Sequence, residues 1–378
     1  MTLTRIAALN LTHRPWRTGL TLLGVVLAIA AYVALLGLVK GIEGTLLESF
    51  TSRGTDVVMT EAGAADVLSS VVPVALARDV AEVEGVAAAA PELGRMTTVG
   101  ENTTSFIIGW PPDAFGLGAI EIVEGRFPVP EDRTEDFSGG IALGTRLAER
   151  LNLGLGDRVN VFATDFVVTG LYTSEGVMAL NGALTLISDM QAQTYREGQA
   201  TSIVVQLAPD LSPAERDATI ARLAERFPDL SVDPTETLVQ EYSNLRIATI
   251  LAWVVSTVAV ASAALAVLNT MAMAVNERRG EIAILGAIGW PRGRIVRLLM
   301  LEGAWLTVAG SALGIVIGIA VAWAVAWSPQ VEGFVEPVID TPLILRAIAI
   351  GLGIGLIGAL VPAVRAASED PASILRGK

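Results

Sequence analysis

Few residues in this chain have the types and spacing that enzyme chemistry requires. The 378 residues include no cysteine and a single histidine, His13, so thiolate chemistry and the usual zinc and copper ligand sets are excluded. No Gly-x-x-x-x-Gly-Lys-Ser/Thr phosphate loop occurs, so these residues supply no P-loop ATPase site. We therefore expect no catalytic residue, no metal site and no cofactor site in this chain.

Two local patterns resemble binding motifs but have simpler explanations. Gly353-x-Gly355-x-x-Gly358 has the spelling of a dinucleotide motif. That motif must join a strand to a helix, whereas these glycines lie inside an uncharged run, so we predict helix packing. The acidic run 131–136 (EDRTED) is predicted to be a solvated loop, with a divalent-cation site as the alternative.

Glu302 is the one carboxylate inside a long apolar run. An ionisable residue within a membrane segment is by default a candidate functional residue. Glu302 lies only five positions after Arg297, however, so its carboxylate is within reach of the headgroup zone. We favour a structural or interfacial role and keep an intramembrane functional role as the alternative.

The elements that position these residues are membrane helices. Mean hydropathy is +0.57 and 52% of residues are hydrophobic, although only 5% are aromatic. This composition is too apolar for an ordinary soluble domain, and its small aliphatic residues suit close helix packing. Uncharged runs at 18–39, 249–275, 303–331 and 347–364 are long enough to cross a bilayer, so four spans are predicted.

The charges are divided between two kinds of segment. Residues 41–245 contain 31 acidic and 12 basic residues, whereas the remainder contains 8 acidic and 14 basic residues. Because basic segments stay on the cytoplasmic side, we predict both termini inside and the acidic block outside. This arrangement predicts a multi-pass protein of the bacterial cytoplasmic membrane. Nucleic acid is not an expected partner, since the acidic block would repel it.

The acidic block alternates short strand-like and helical runs. Strands are predicted at 56–60, 104–110, 158–162, 166–171 and 202–207, and helices at 73–83, 144–151, 188–197 and 213–227. Ser212 and Pro213 are a typical N-cap and first helical residue. About 200 residues of this mixture predict an α+β domain of two lobes.

The predicted fold is a polytopic α-helical membrane protein with four transmembrane helices and an α+β extracytoplasmic domain inserted between the first and second. The predicted segments are an amphipathic cytoplasmic N-terminus 1–17, a first span with stalk 18–53, the extracytoplasmic domain 54–233, a stalk with second span 234–275, a cytoplasmic loop 276–297, a third span 298–331, an outer loop 332–346, a fourth span 347–364 and a cytoplasmic tail 365–378.

The cytoplasmic loop is the most distinctive of these segments. Its sequence, NERRGEIAILGAIGWPRGRI (276–295), is basic and lies between two uncharged runs. Ile282, Ile284, Leu285 and Ile288 recur at helical spacing, which predicts a short amphipathic helix at 281–288. Gly289 and the following proline are expected to end that helix.

Three stretches resemble one family, the FtsX/MacB-type ABC transporter permeases. Residues 276–290 (NERRGEIAILGAIGW) resemble its cytoplasmic coupling segment, and 298–318 (LLMLEGAWLTVAGSALGIVIG) its third helix. Residues 360–376 (LVPAVRAASEDPASILR) resemble its closing signature. Residues 141–171 resemble the MacB-like periplasmic core domain less closely.

The resemblance implies a non-catalytic permease subunit that docks a separate cytoplasmic ATPase, which itself binds ATP and Mg²⁺. MacB-type members carry a fused ATPase domain that these residues do not contain, so we expect another polypeptide to supply it. The implied partners also include a second permease protomer, identical or sister, membrane lipids, and a periplasmic adaptor or other extracytoplasmic protein. The residues that match the coupling segment, and are expected to contact the ATPase, are Arg278, Arg279, Glu281, Ile282, Gly286, Gly289 and Trp290.

Two functions follow from the resemblance. The first is ATP-driven export or extraction of a hydrophobic, lipidic or peptide-like molecule at the outer leaflet or periplasm. The second is an FtsX-like mechanical signal that activates a cell-wall hydrolase without transport. We favour transport because of the size of the extracytoplasmic domain. An apolar cavity between its lobes would support transport, and an exposed apolar patch without a cavity would support partner binding.

Overall fold

The computed structural model describes residues 15–241, 243–328, 331, 335–369 and 374. Most of the predicted N-terminal segment, and the Asp-Pro and Leu-Arg pairs of the closing signature, lie outside these residues. The chain forms two compact units. A helical unit comprises residues 1–40, 248–327 and 337–378, and a mixed unit comprises 41–247 and 328–336.

The elements are numbered in chain order. The helices are α1 (Pro15–Thr51), α2 (Leu76–Ala81), α3 (Thr145–Leu151), α4 (Val177–Leu180), α5 (Ile187–Thr194), α6 (Pro213–Arg226), α7 (Thr235–Glu241), α8 (Ser243–Glu277), α9 (Arg279–Ala287), α10 (Arg292–Ala326) and α11 (Thr341–Ser368). The strands are β1 (Val57–Glu61), β2 (Val72–Pro73), β3 (Val86–Val99), β4 (Thr103–Trp110), β5 (Glu121–Gly125), β6 (Gly140–Gly144), β7 (Arg158–Val161), β8 (Thr164–Thr173), β9 (Ala183–Leu186), β10 (Gln199–Ala200), β11 (Ser202–Leu207) and β12 (Leu230–Pro234).

Four helices of the described chain are long and apolar enough to cross a membrane. They are Thr18–Thr51 within α1, Arg246–Glu277 within α8, all of α10 and all of α11. The mixed unit is inserted between the first and second of them, which confirms the predicted fold class. The helices extend beyond the predicted spans at several ends, and the domain limits inferred from the sequence stay predictions.

Close packing in the helical unit depends on glycines of α10. A Cβ added at Gly314 would lie 2.9 Å from the carbonyl oxygen of Val26, and one at Gly318 would lie 2.8 Å from that of Ala30, both on α1. On its other side, Gly303 faces Gly355 and Ala359 of α11. Small residues therefore let α10 approach two neighbours closely, as membrane helices commonly do.

The Gly353-x-Gly355-x-x-Gly358 pattern lies inside α11 and serves packing at two of its three positions. Added Cβ atoms would meet Thr307 at Gly355 and Val267 at Gly358, whereas Gly353 faces open space. All three glycines lie within one continuous helix and not at a junction between a strand and a helix, which agrees with the predicted packing role.

One end of α11 is held to α1. Asp340 caps α11 by accepting a hydrogen bond from the backbone N–H of Leu343. Lys40 Nζ lies 2.6 Å from the other oxygen of that carboxylate, and this hydrogen bond holds the pKa of Asp340 below its usual value. Val338 also donates its N–H to the carbonyl of Gly37. The cap explains why α11 begins at Thr341, six residues before the predicted span.

The mixed unit is built on a ten-stranded sheet with the order β12-β1-β11-β3-β4-β9-β6-β8-β5 and with β7 paired to β3 and β8. Strand β3 pairs with β11 through residues 86–92 and with β4 through residues 93–99. It therefore joins two lobes. The first lobe contains β1, β11, β12, α2 and α6, and the second contains β4 to β9, α3 and α5. Each lobe has a hydrophobic core of its own, and a third core, which includes Ala90, Val204 and Trp110, is shared between them.

All five strands predicted from alternation are present, but several other strands were missed. The predictions at 56–60, 104–110, 158–162, 166–171 and 202–207 correspond to β1, β4, β7, β8 and β11. Strand β3 begins with an alanine run of low strand propensity, which its pairing with β11 stabilises. Strand β6 (GIALG) is buried at every position, so it has no alternation to detect.

The predicted helices are shorter in the structure than in the sequence analysis. The 73–83 prediction is reduced to α2 because Val72 and Pro73 pair with β10. Helix α5 ends at Thr194, where Tyr195 adopts a left-handed conformation. Helix α6 confirms the predicted cap: Ser212 and Glu215 form a capping box and Pro213 is the first helical residue.

A buried ion pair fastens the end of α1 into the mixed unit. Arg53 follows α1 by two residues, and its Nη1 donates to Glu92 Oε2 at 2.8 Å; both side chains are almost fully buried. Trp110 Nε1 donates to the same oxygen at 2.9 Å. The Arg53 guanidinium also lies 5.2 Å from the Trp110 ring centroid. Glu92 lies where β3 changes partners, so the end of α1 is tied to both lobes.

The chain leaves the mixed unit next to the point where it enters it after α1. Thr235, the first residue of α7, donates its hydroxyl to the carbonyl of Thr55 at 2.9 Å and its N–H to that of Asp56. The segments that follow α1 and precede α8 are therefore bonded to each other.

The acidic run 131–136 is only partly the solvated loop that the sequence predicted. Asp132 is buried, pairs with Arg126 and accepts the N–H of Val129, which together lower its pKa. Arg133 pairs with Asp189, a buried carboxylate whose pKa is raised by burial. The other residues of the run are exposed, as predicted. The pair of Arg133 with Asp189 could not be read from the sequence because the two residues are 56 positions apart.

We predict that Glu92→Ala destabilises the mixed unit by about 3–5 kcal/mol, because it leaves the Arg53 charge buried without its carboxylate. Denaturant unfolding of the detergent-solubilised full chain measures this change. Glu121→Ala, which removes an exposed carboxylate from β5, is the matched control and is expected to change the free energy of unfolding by less than about 0.5 kcal/mol. Equal effects of the two substitutions would contradict the anchoring role of Glu92.

Candidate functional site

The candidate site is α9, the short helix between two long apolar helices. Helix α8 ends at Glu277, and Arg278 leaves the helical conformation with φ −103° and ψ 19° before α9 begins. At the other end, Trp290 donates its N–H to the carbonyl of Leu285 at 3.0 Å. That turn requires Gly289, whose φ is +94°. The predicted glycine stop is therefore confirmed, and Pro291 precedes α10 as its N-cap residue.

One face of α9 packs on the helical unit. Ile282 and Ala283 are buried, with Ile282 only 7% exposed, and Ile282 belongs to the same core as Ile295 and Ala366. The opposite face is open: Ile284 is 52% exposed and Ile288 is 67% exposed. Helix α9 therefore buries Ile282 and Ala283 and leaves two large aliphatic side chains, Ile284 and Ile288, exposed at the end of the bundle.

Two arginines fix the position of α9. Arg278 Nη1 lies 3.0 Å from Glu302 Oε1 and 3.3 Å from Glu302 Oε2, and Arg278 Nε donates to Glu281 at 2.9 Å. These carboxylates hold the pKa of Arg278 above its usual value despite its burial. Glu302 is only 3% exposed, so Arg278 pairs with a buried carboxylate. The geometry supports the structural role that the sequence analysis favoured for Glu302.

Arg279 attaches α9 to the end of α11. Its Nε lies 2.8 Å and its Nη2 2.5 Å from the two carboxylate oxygens of Glu369, a bidentate geometry. The hydrogen bonds from Arg279 hold the pKa of Glu369 below its usual value. The two neighbouring arginines therefore bind two different helices, α10 and α11.

Trp290 lies half-buried at the turn after α9. Its ring packs against the helical core, and the Arg294 guanidinium lies 5.4 Å from the ring centroid. It borders a groove of about 150 Å³ that also contacts Gly286 and Ala367. This environment leaves part of the indole accessible.

The seven residues predicted to contact an ATPase do not share one face. Arg279, Glu281 and Gly289 are exposed, whereas Gly286 and Trp290 are half-exposed. Arg278 and Ile282 point into the bundle and hold the helix instead. Ile284 and Ile288 were not among the predicted contact residues. Their i, i+4 spacing places them on one face of α9, but the sequence does not show whether that face is buried or exposed.

A second feature is a cleft between the two lobes of the mixed unit. It has a volume of about 570 Å³ and is lined mainly by small apolar side chains, including Val74, Ala75, Ala89, Pro91 and Ile187. Arg78 and Asp113 are the charged residues of its lining. Its volume lies within the range of about 300–1,000 Å³ that small-molecule pockets occupy.

We predict that Glu302→Gln increases amide hydrogen exchange in α9 by about tenfold or more, because a charged hydrogen bond that holds the helix contributes about 1.5–3 kcal/mol. Glu281→Gln, which alters the exposed partner of the same arginine, is the control and is expected to change exchange much less. Mass spectrometry of peptides that cover residues 279–287 measures both. An equal response to the two substitutions would show that Glu302 does not hold α9.

Comparisons with known families agree with this architecture. Residues 18–223 match the MacB-like periplasmic core domain, and residues 253–371 match the FtsX-like permease C-terminal domain. Together these regions cover most of α1, most of the mixed unit and most of the last three long helices.

Similar proteins named macrolide export ATP-binding/permease protein MacB occur in several bacteria. Those of Shewanella sp. (strain ANA-3) and Escherichia coli are 23% and 25% identical to this chain over 96% and 95% of its length. The chain spans 58% of the length of each of these two relatives.

Two solved structures are also similar. The periplasmic region of MacB from Actinobacillus actinomycetemcomitans covers 53% of this chain and 98% of its own length, with 16% identity and a TM-score of 0.39. The extracellular domain of the ABC-type transporter YknZ from Gram-positive bacteria covers 47% and 99%, with 13% identity and a TM-score of 0.36. The match of more than half of the chain to the MacB-like core domain, followed by the FtsX-like domain, shows that this chain belongs to the family of FtsX/MacB-type ABC transporter permeases.

Proposed function

We propose that this chain is the membrane permease part of an ABC transporter and that a cytoplasmic ATPase docks on the exposed face of α9. The observation that carries the proposal is the pair Ile284 and Ile288, two large aliphatic side chains exposed beside Glu281 on a helix that is fixed at its base. Exposed aliphatic side chains next to a charge are typical of a protein contact. ATP and Mg²⁺ bind to the ATPase and not to this chain.

The proposed orientation follows the distribution of charge. The basic segment around α9 lies in the cytoplasm, and the acidic mixed unit lies outside the cytoplasmic membrane. Both termini are then cytoplasmic, including the predicted segments 1–17 and 365–378. The permease acts as a dimer, with an identical or sister protomer as the second copy.

Movement of α9 would reach the mixed unit through the long helices. Helix α1 has 37 residues and is continuous, so it is about 55 Å long, whereas a bilayer core is about 30 Å thick. Its end is anchored by Arg53 on Glu92, and the returning chain is bonded to it at Thr235. A helix that exceeds the membrane and ends in a buried ion pair is suited to transmit displacement.

The cargo that the geometry supports best is a hydrophobic, lipidic or peptide-like molecule taken from the outer leaflet or periplasm. The cleft between the lobes supports transport over a purely mechanical signal, because it offers an apolar cavity of small-molecule size. The related proteins named for macrolide export agree with a cargo of this class. A periplasmic adaptor is a further proposed partner.

We predict that Ile284→Asp with Ile288→Asp abolishes stimulation of ATP hydrolysis in the reconstituted complex, because an acidic face replaces the apolar contact. Helix α9 should stay folded, since neither side chain is buried. Val338→Asp, which places an acid on an exposed aliphatic position at the opposite end of α11, is the control and should leave stimulation unchanged. Co-purification and ATPase assays measure both, and full stimulation of the double variant would overturn the docking proposal.

A second prediction concerns the cleft. Ala75→Trp fills the cleft from an exposed position, so the small hydrophobic molecules that co-purify with the chain should be lost. Ala62→Trp, an equal change at an exposed position that does not line the cleft, should retain them. Mass spectrometry of extracts from the two variants measures the difference. The same molecules in both extracts would exclude the cleft as the cargo site and favour the mechanical-signal function.

A further inference from the structure

A groove beside α9 has features that neither ATPase docking nor cargo binding explains. It lies between the last turns of α8 and the last turns of α11 and has a volume of about 430 Å³. Leu268, Ala272 and Met273 of α8 form one wall, and Val361 and Pro362 of α11 form the other.

The groove changes from apolar to polar along its length. Asn276, Arg279, Arg365 and Glu369 line it together with the apolar residues. Asn276 and Arg365 lie where the uncharged runs of α8 and α11 end. Its apolar part therefore faces the hydrocarbon region, and its polar part lies at the depth of the headgroups.

The charges in the groove leave one positive charge in excess. Arg279 and Glu369 neutralise each other in their bidentate pair. Arg365 is exposed, and no carboxylate of the described residues forms an ion pair with its guanidinium. The exposed side-chain amide of Asn276 adds a neutral hydrogen-bond donor to the same groove. Among the described residues of its lining, the groove therefore ends at one guanidinium in excess of the carboxylates, which matches a molecule with acyl chains and one negative charge.

We propose that this groove binds one anionic phospholipid of the adjacent leaflet. Arg365 and Asn276 bind the phosphodiester, and an acyl chain lies along Met273 and Val361. Basic pockets between membrane helices are typical sites for acidic headgroups, and a guanidinium forms strong charge-assisted bonds to phosphate oxygens. A zwitterionic lipid places its extra positive charge next to two arginines and therefore binds more weakly.

The lipid bridges α8 and α11 at the end of the bundle where Arg279 attaches α9 to Glu369. Its occupancy therefore stabilises the arrangement of the helices around α9. Lipid binding is measured on the full chain without an ATPase, so its outcome is independent of the docking proposal.

The test compares Arg365→Gln with Arg297→Gln in the full chain. Arg297 is an exposed arginine near the same end of the bundle, on α10, and does not line the groove. Native mass spectrometry from mixed micelles measures bound phosphatidylglycerol and phosphatidylcholine with identical acyl chains. We expect Arg365→Gln to reduce retention of phosphatidylglycerol about tenfold, the effect of one lost charged hydrogen bond, and Arg297→Gln to leave retention unchanged.

A second pair of variants tests the apolar part of the groove without a change of charge. Ala272→Trp fills the groove from an exposed position, whereas Ala261→Trp makes the same change at an exposed position of α8 outside it. Only the first should lose the lipid. Equal loss in both arginine variants, equal retention of the two lipids, or full displacement by soluble glycerophosphate would overturn the proposal, the last by showing an anion site without acyl-chain recognition.

Discussion

The contact between Arg278 and Glu302 is the constraint on which the arrangement of the candidate site depends. A buried carboxylate costs several kcal/mol unless a positive charge and hydrogen bonds compensate it. Arg278 provides both, and it is the single residue between α8 and α9. The ion pair therefore fixes the position of the break between α8 and α9. It also fixes the direction in which α9 leaves α8.

The same arrangement recurs where the first long helix, α1, ends. Arg53 follows α1 by two residues and pairs with buried Glu92, as Arg278 follows α8 and pairs with buried Glu302. In both cases the arginine lies in the junction after a long helix. The glutamate lies on another element that packs against that junction, β3 for Glu92 and α10 for Glu302. A buried pair of this kind adds little net stability, but it tolerates only one geometry, because any displacement leaves a charge unpaired.

Between these junctions the helices pack through small side chains. Gly314 and Gly318 bring α10 against α1, and Gly303 brings it against α11. Lipid is as apolar as a leucine side chain, so close contact and not hydrophobic burial favours this packing. The helical unit can therefore expose large aliphatic side chains widely while its glycine faces stay buried. Ile284 and Ile288 differ from that background because they lie on the short helix outside the four apolar spans.

The sequence by itself determined the membrane class, the four spans, the inserted domain and the family, because hydropathy, charge and the coupling-segment motif are local properties of the chain. It also placed the glycine stop at Gly289 and the cap of α6. Only the tertiary structure decided which apolar face of α9 is exposed, that Glu302 and Arg278 meet, and that the alanine run of β3 is a strand. Each of these depends on residues far apart in the sequence: Arg278 and Glu302 are 24 positions apart, and Arg53 and Glu92 are 39 apart. The periodicity of the sequence shows that a helix has an apolar face. Whether that face is buried depends on which other element packs against it.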